Sequence, residues 1–416
     1  MANIIEFGKR KSALMLRAGG LGDCLILTPV AKALHERGYN VDFFIGSPTG
    51  DVHELMIGLP YLRTVKKMGR IRNLDCVEDE FEHKISVEIL KKTYDEVFDF
   101  KYSIEDNYVP FHTNEGWRGS INSNYQNWVD LSLSWCNIDP TKVKDEDKRP
   151  EIGTSLADIK YKNWLCDDTP IQPKGERDYK VIGIQLQASS LVRTWYNAHL
   201  LPELIHKQFP NDVVIVFSNN WICITPSGRI ELKFPEGLNP LLCSAYLIAQ
   251  MDCFISADSG SSHIAEAVGT HSIDIYTTVP AWTRVKYYKY AHALEPVDVA
   301  CHPCFTLDTF CPLEKKKAED TVSDREKDII TASQSGVPIQ EVARKYGVPP
   351  KAIQMELEST LQRQQALATS MPACVKSITD KHIMDKVSEI LGSIMVKKKL
   401  THVIFNDAVL MGDRNE

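Results

Sequence analysis

Residues 255–276 constrain the fold of this chain more than any other stretch. They predict an apolar strand, a polar turn at residues 257–260, an Ala-rich helix that ends at Gly269, and a second apolar strand. Ser261 or Ser262 is a suitable N-cap for the helix. This order is typical of a parallel α/β sheet, and the free N–H groups at the helix start favour an anion such as phosphate. The alternative is an ordinary turn between strand and helix that binds nothing.

A second glycine-rich turn lies close to the N-terminus. An apolar run at residues 12–17 precedes the sequence Ala-Gly-Gly-Leu-Gly-Asp at residues 18–23, and one helix is predicted from there to Gly38. The turn lacks the full G-x-G-x-x-G pattern of dinucleotide-binding folds. Asp23 stands where open α/β sheets bind ligands. It is therefore either an ordinary acid of a first helical turn or a general base facing a cleft.

The alternation of strand-like and helical segments predicts an α/β fold of two Rossmann-like domains. The first domain covers residues 1–140, and a charged, Pro-rich linker covers residues 141–179. The second domain covers residues 180–313 and resumes at residues 371–416. Residues 314–370 form a small helical insertion within it. A ligand is expected in the cleft between the two domains.

The insertion contains a pattern that resembles a helix-turn-helix at residues 335–358. A short amphipathic helix is followed by a turn at Gly347 and by a second helix that begins after two prolines. If this unit binds DNA, Lys351 and Gln354 lie on the recognition helix, whereas two glutamates on the same helix oppose contact with phosphate. The alternative is a packing or partner-binding module.

Composition excludes several classes of protein. The chain of 416 residues carries a net charge of -7, so the whole molecule is not an electrostatic nucleic-acid binder, although a local basic face stays open. No apolar run reaches the roughly 18 residues of a membrane span, and no cleavable signal is recognisable. We therefore expect a cytoplasmic protein, in a bacterium or a phage-infected host. Eleven scattered cysteines favour reduced thiols over a disulfide framework.

Two stretches together resemble glycosyltransferase family 9, the ADP-heptose:lipopolysaccharide heptosyltransferases. Residues 16–34 begin Leu-Arg-Ala-Gly-Gly-Leu-Gly-Asp and are similar to the family's N-terminal signature. Residues 255–269 are similar to its donor motif, a strand followed by Asp-Thr-Gly-x-x-His and an Ala-rich helix. Residues 185–195 stand in the place of a donor-contacting loop. The resemblance covers most of residues 12–312 and resumes near residues 371–395.

The resemblance implies a GT-B fold, with an N-terminal acceptor domain and a C-terminal nucleotide-sugar domain. It also implies an inverting transfer that requires neither a metal nor a cofactor, the nucleoside diphosphate sugar being a substrate. Asp23 matches the family's proposed catalytic base. Arg193 falls where family members carry a lysine, and its guanidinium offers a bidentate fork to the departing diphosphate.

The resemblance also implies a set of donor-binding residues. They are turn glycines, two loop serines and the motif itself, in which Ser259 replaces the usual threonine. The set comprises Gly20, Gly22, Ser189, Ser190, Asp258, Ser259, Gly260 and His263. Taken alone, His263 reads as a packed helical histidine, and the surrounding motif makes it a donor-site residue.

Four cysteines resemble the Cys-Pro-Cys, Cys-Pro and later Cys pattern of many family members. They are Cys301, Cys304, Cys311 and Cys374. Their spacing is compatible with a structural zinc site, but the fourth cysteine is remote in sequence and His302 competes as a ligand. The alternative is a set of buried thiols that hold a loop, with no metal at all.

These observations predict a glycosyltransferase that moves a sugar from a nucleoside diphosphate to an acceptor hydroxyl. Because of the insertion, the first hypothesis for the acceptor is a hydroxymethylated base in duplex DNA, as in bacteriophage-type DNA modification, bound through the cleft and residues 335–358. The alternative acceptor is a lipopolysaccharide core saccharide. A third hypothesis is a non-catalytic sugar-nucleotide sensor with a DNA-binding segment, against which the retention of Asp23 argues.

Overall fold

The structure is a computed structural model of the chain. It describes fourteen segments, namely residues 10–46, 51–68, 87–100, 126–153, 159–188, 191–195, 199–218, 221–234, 236–299, 302–304, 311, 322–334, 337–368 and 372–394. Of the predicted site residues, Ser189, Ser190 and Cys301 lie outside these segments. Among the described residues, no helix is long and apolar enough to cross a bilayer.

The N-terminal unit is built on a parallel sheet of four strands in the order β3-β2-β1-β4. These strands are β1 (Lys11–Ala18), β2 (Tyr39–Gly46), β3 (Leu62–Lys67) and β4 (Glu96–Asp99). The central strand β1 is apolar because it is buried on both faces, with Leu14 and Met15 inaccessible to solvent. The carboxyl end of β1 leads directly into the glycine-rich turn.

The predicted single helix after this turn is wrong, because two helices occupy the stretch. They are α1 (Leu21–Leu25) and α2 (Thr28–Glu36). Pro29 has no N–H to donate, so the i→i−4 bonding cannot continue through it. The hydroxyl of Thr28 donates instead to the carbonyl oxygen of Leu25 at 2.8 Å. The break leaves α1 as a short helix that aims Asp23 at the cleft.

The stretch predicted as a linker is divided between the two units. Before residue 153 it packs on the N-terminal unit, where Lys32 Nζ lies 2.8 Å from Asp147 and 3.0 Å from Glu151. After it, helix α4 (Ile159–Asp168) packs on the C-terminal unit through stacking of Tyr161 on Tyr246. The N-terminal unit also contains α3 (Trp128–Trp135), which lies beside the cleft.

The C-terminal unit has seven strands in the order β11-β10-β9-β5-β6-β7-β8. The pairs from β11 to β6 are parallel, and β7 and β8 extend the sheet as an antiparallel hairpin. The strands are β5 (Val181–Gln185), β6 (Val213–Val216), β7 (Trp221–Thr225), β8 (Gly228–Leu232), β9 (Cys253–Ala257), β10 (Ser272–Ile275) and β11 (Ala291–Leu294).

Four helices follow the strands of this unit, and the end of the chain returns to it. The four are α5 (Leu201–Gln208), α6 (Pro240–Ala249), α7 (Gly260–Val268) and α8 (Trp282–Val285). Helix α5 carries Pro202 in its first turn, where a missing N–H costs no intrahelical hydrogen bond. The returning segment carries Ile378, whose carbonyl oxygen accepts a 3.0 Å hydrogen bond from the indole of Trp195.

The insertion folds as three helices around an apolar cluster of its own. They are α9 (Asp324–Gln334), α10 (Ile339–Tyr346) and α11 (Pro350–Ala368). Their buried residues include Ile329, Val342 and Ile353. Gly347 ends α10 with a φ of +63°, a left-handed conformation that favours glycine. After the insertion, α12 (Ala373–Ser377) and the helical residues 380–394, named α13, complete the chain.

The two α/β units meet where the start of α1 contacts the start of α7. A Cβ added at Gly22 would lie 2.6 Å from Cδ2 of His263, and a Cβ at Gly260 would lie 2.6 Å from Cβ of Leu21. Glycine is needed at both positions because the helix starts approach so closely. Two Rossmann-like units with the carboxyl ends of their sheets facing one cleft form the GT-B architecture predicted from the sequence.

Candidate functional site

A cavity of about 690 Å³ lies between the two units. The N-terminal unit contributes the glycine turn, the start of α1 and the first residue of α3. The C-terminal unit contributes the loop after β5, the ends of β6 and β9, the start of α7 and one residue of α8. Ligands of open α/β sheets bind at this edge, outside the carboxyl ends of the strands.

Asp23 lies on the N-terminal wall of the cavity, with its side chain one quarter exposed. Its Oδ2 atom accepts a 2.8 Å hydrogen bond from the amide of Gly20 and lies 3.5 Å from Nη2 of Arg17. Arg17 is fully buried, and its Nη1 atom donates to the carbonyl oxygen of Phe100 at 2.5 Å. The carboxylate is therefore ionically supported and held in one orientation, with its remaining oxygen available to an incoming group.

Arg17 was not among the residues predicted from the sequence. The signal that would have found it is a charged residue at the penultimate position of an apolar strand, directly before a glycine turn. Such a side chain is buried only with partners, and here the partners are a backbone carbonyl and the candidate base.

The C-terminal wall is the turn from β9 into α7. Ser259 is the N-cap residue, and among the described residues no side chain caps the helix there; the start of the helix, Ser259 to Ser261, lines the cavity. The hydroxyls of Ser256, Ser259 and Ser261 form a compact network at 2.7–3.2 Å. The prediction of Ser261 or Ser262 as the cap is wrong, because the helix begins earlier, at Gly260. Gly269 ends the helix as predicted, with a φ of +76°.

Asp258, at the same turn, lies between two arginines. Its Oδ2 atom is 3.7 Å from Nη1 of Arg193, and its Oδ1 atom is 3.9 Å from Nε of Arg284. The Asp258 carboxylate and the Arg284 guanidinium are both almost entirely buried. These are longer than direct hydrogen bonds, so the two cations are held near the carboxylate without being locked to it.

His263 lines the cavity from the first turn of α7, opposite Gly22. Its Nδ1 atom lies 2.5 Å from the hydroxyl oxygen of Tyr288, which leaves the Nε2 edge toward the N-terminal unit. Burial lowers the pKa of His263 to about 4, an effect that the nearby Asp258 carboxylate opposes. The imidazole is therefore neutral near pH 7 and has one N–H to donate.

An apolar lobe extends the cavity along the C-terminal unit. Phe217 and Trp221 form its wall, with ring centroids 4.5 Å apart, and Leu241 and Ile248 complete it. The polar groups of Ser218 and Ser244 lie at its margin. A flat, partly polar ring system such as a nucleobase is complementary to this surface.

One strongly perturbed carboxyl lies behind the turn, on β10. Asp274 is fully buried, and burial raises its pKa to about 8. Its Oδ2 atom accepts a 3.0 Å hydrogen bond from the hydroxyl of Ser272. Asp274 does not line the cavity, so its protonated form belongs to the support of the turn rather than to the chemistry.

The structure brings the described residues of the predicted base and donor site together on the two walls of the cavity. The cavity is lined by Gly20, Gly22, Asp23, Arg193, Asp258, Ser259, Gly260 and His263. Arg284 and Tyr288 were not predicted, because neither lies in a recognisable motif. Their roles arise from contacts that only the folded chain makes.

The predicted cysteine site is described only in part. Cys304 and Cys374 are buried, and Cys311 is half-buried. Among the residues that the structure describes, no group of three or more histidine, cysteine or acidic side chains is arranged to hold a metal ion. The zinc hypothesis includes Cys301, outside the described segments, and stays a prediction.

Comparison with known families gives one match within the chain. Residues 240–313 match the model of the family described as glycosyltransferase family 9 (heptosyltransferase). This region contains α6, the β9–α7 turn with Asp258 and His263, and α8. A comparison with curated proteins gives no match.

Several solved structures are similar to the chain. The E. coli ADP-heptose lipopolysaccharide heptosyltransferase II is 14% identical, with 69% of this chain and 91% of that chain covered at a TM-score of 0.44. A family 9 glycosyltransferase of Veillonella parvula is 14% identical, with 70% of this chain and 88% of that chain covered at a TM-score of 0.48. The iron-containing dodecameric glycosyltransferase TibC of enterotoxigenic E. coli is 15% identical, with 81% of this chain and 77% of that chain covered at a TM-score of 0.45.

Proposed function

We propose, from the match of residues 240–313 to glycosyltransferase family 9, that the protein transfers a sugar from a nucleoside diphosphate to an acceptor hydroxyl. One observation carries the proposal. Asp23 of the N-terminal unit and the Asp258–His263 turn of the C-terminal unit line the same cavity from opposite sides. A transferase that joins two substrates needs this two-sided arrangement, because each unit presents one reactant to the other.

The donor binds the C-terminal wall in this proposal. Its diphosphate lies at the start of α7, where the helix start without a side-chain cap and the helix dipole favour an anion, and Arg193 neutralises part of its charge. The neutral imidazole of His263 donates one hydrogen bond from Nε2. Asp258 accepts from hydroxyl groups of the donor, and the nucleobase occupies the apolar lobe. Ser189 and Ser190 stay predicted donor contacts.

Asp23 acts as the general base on the other wall. It takes the proton of the acceptor hydroxyl while that oxygen bonds to the anomeric carbon from the face opposite the leaving group. The bond between the anomeric carbon and the diphosphate oxygen breaks, and the nucleoside diphosphate leaves. The configuration at the anomeric carbon of the transferred sugar is inverted. Arg193 stabilises the charge that develops on the leaving oxygen, so the proposed reaction draws on guanidinium charge and requires no metal.

We propose a saccharide hydroxyl, such as that of a lipopolysaccharide core, as the acceptor. The family description names heptosyltransferases, so a heptose is the first sugar to test. The charges of the inserted helices favour this over DNA. Lys345 Nζ lies 2.6 Å from Asp328, and Arg325 lies 3.0 Å from Glu356, so both cations are paired with carboxylates of the same unit. Such pairing opposes the phosphate contacts from which DNA affinity derives.

A hydroxymethylated base in duplex DNA is the second candidate acceptor. The observation in its favour is that α9, α10 and α11 form a helical unit with its own apolar cluster, as a grafted binding module would. Arg344 and Lys351 are exposed on that unit and are the side chains that would contact phosphate.

One experiment separates these possibilities. The protein is incubated with ADP-, GDP-, CDP- and UDP-sugars, with a deacylated lipopolysaccharide core in one arm and hydroxymethylated duplex DNA in the other, and product mass is followed. Transfer to the saccharide supports the first proposal, and transfer to DNA supports the second. Donor binding without transfer to either acceptor would favour a sugar-nucleotide sensor and would contradict the assignment of Asp23.

A further inference from the structure

Arg284 is a cavity residue outside the motifs that carry the family resemblance. It lies on α8, its side chain is 4% exposed, and its Nε atom is 3.9 Å from Oδ1 of Asp258. It lines the same cavity as the start of α7. A buried guanidinium needs polar or anionic partners, and Arg284 lines the cavity beside the Asp258 carboxylate and the helix start.

The N-terminal unit contacts the start of α8 through Asn127. The side-chain amide of Asn127 donates to the carbonyl oxygens of Trp282 at 3.0 Å and Thr283 at 3.3 Å. Its Oδ1 atom accepts from the amide of Val129 at 3.0 Å and so caps α3. One buried side chain thus caps the start of α3 and forms hydrogen bonds with the two carbonyl groups just before Arg284.

The next residue, Trp128, covers the guanidinium itself. The planar cation of Arg284 lies over the face of its indole ring, a cation–π contact between the two units. Two residues later on α3, Asp130 accepts a 2.6 Å hydrogen bond from the hydroxyl of Tyr287. Lys148 joins both groups, with Nζ 3.1 Å from Asp130 and 3.0 Å from the Tyr287 hydroxyl. Helix α3 is therefore fastened along the segment that carries Arg284.

We propose that Arg284 binds the diphosphate of the donor and that Asn127 and Trp128 are positioning residues that set its place from the other unit. The proposal rests on the proposed function, because it assumes a nucleoside diphosphate at the start of α7. Arg193 and Arg284 then approach the diphosphate from two sides, with Asp258 between them. Donor affinity depends on the seating of the N-terminal unit, although neither positioning residue belongs to the donor-binding unit.

Calorimetry on the full chain tests this with ADP, GDP, CDP and UDP and the four matching nucleosides. Arg284→Gln is expected to weaken the best diphosphate about tenfold while changing nucleoside binding less than about twofold. Asn127→Asp retains the oxygen that caps α3 but cannot donate to the two carbonyls. It is expected to weaken the diphosphate by about threefold or more, again sparing the nucleoside. Asn127→Ser provides a second capping variant if the aspartate fails to fold.

The matched control is Trp135→Phe, at the exposed far end of α3, which should bind both ligands as the wild type does. Unchanged diphosphate affinity in Arg284→Gln would overturn the role of Arg284. If Arg284→Gln weakens the diphosphate as expected but folded Asn127→Asp or Asn127→Ser binds it with wild-type affinity, the positioning role of Asn127 would be overturned. Failure of the wild type to bind any of the four diphosphates would overturn the proposed function itself, so the two failures are distinct.

Discussion

The hydroxyl oxygen of Tyr288 lies 2.5 Å from Nδ1 of His263, and the two rings meet edge to face. His263 is buried and Tyr288 is half-buried, and desolvation raises the pKa of Tyr288 well above its usual value while lowering that of His263. Both side chains are therefore neutral over the physiological range. A phenol that donates to Nδ1 places the single imidazole proton on Nε2, the edge that lies toward Gly22 of the N-terminal unit.

Removing the Tyr288 hydroxyl should change the tautomer of His263 while the site still binds the donor. Tyr288→Phe is expected to raise the KM for the donor by about three- to tenfold, with a smaller change in kcat, because an Nδ1–H tautomer cannot donate from Nε2. The ¹⁵N chemical shifts of His263 provide the direct readout. A wild-type tautomer and KM in the variant would show that Tyr288 only fills space. Tyr290→Phe, at a residue that does not line the cavity, controls for loss of a phenol hydroxyl.

Asp274 should make the protein less stable as pH rises from about 4 to about 8. The folded chain holds this carboxyl protonated up to its raised pKa of about 8, whereas the unfolded chain ionises it near its ordinary value. The stabilisation from Asp274 is therefore complete below the unfolded pKa and is lost as pH rises through the folded pKa. Above that value no further loss occurs.

Asp274→Asn should therefore be more stable than the wild type at pH 8, by roughly 2–5 kcal/mol, and nearly equal to it at pH 4. Thermal unfolding at a series of pH values checks this. A difference in Tm that is the same at every pH would mean that Asp274 does not titrate between the two states. Asp385→Asn, which removes an exposed carboxylate paired with Lys381, is the control.

Gly22 should not tolerate even a methyl group. The added Cβ of Gly22→Ala would lie 2.6 Å from Cδ2 of His263, so the two helix starts must separate. Overpacking of this kind lowers the free energy of unfolding by about 1–3 kcal/mol. The rate of sugar transfer should fall as well, by a factor that corresponds to at least the same free energy, because the change moves both walls of the cavity. Gly392→Ala, whose added Cβ meets no atom within 4 Å, is the matched control. Equal activity of the two variants would contradict the close approach.

The two motif turns and the residues on their cavity walls could be predicted from the sequence. Strand, turn and helix each have a local signal, and Asp23, Asp258 and His263 stand at fixed offsets within them. The hairpin of β7 and β8 also has a local signal that the prediction missed. Its alternation from Trp221 and the turn at Gly228 are typical of antiparallel strands.

The supporting residues could not be predicted in the same way. Asn127 and Arg284 act through partners that lie 155 and 26 positions away in sequence, respectively. Arg17 has a local signal, its place directly before the glycine turn, but its backbone partner Phe100 lies 83 positions away. Such contacts depend on how sheets and helices pack, which residue patterns do not encode locally. The break between α1 and α2 is an intermediate case, since Pro29 signalled it and the continuous apolar periodicity obscured it.

The most direct test of the account is single-turnover transfer by Asp23→Asn, measured with the nucleotide sugar and acceptor that the wild type uses. Asparagine keeps the size of the side chain and removes its capacity to accept a proton. The account predicts a loss of transfer of about 10²–10⁴-fold with donor affinity within about twofold of the wild type. Transfer by Asp23→Asn at the wild-type rate would show that Asp23 is not the base and would contradict the two-sided mechanism.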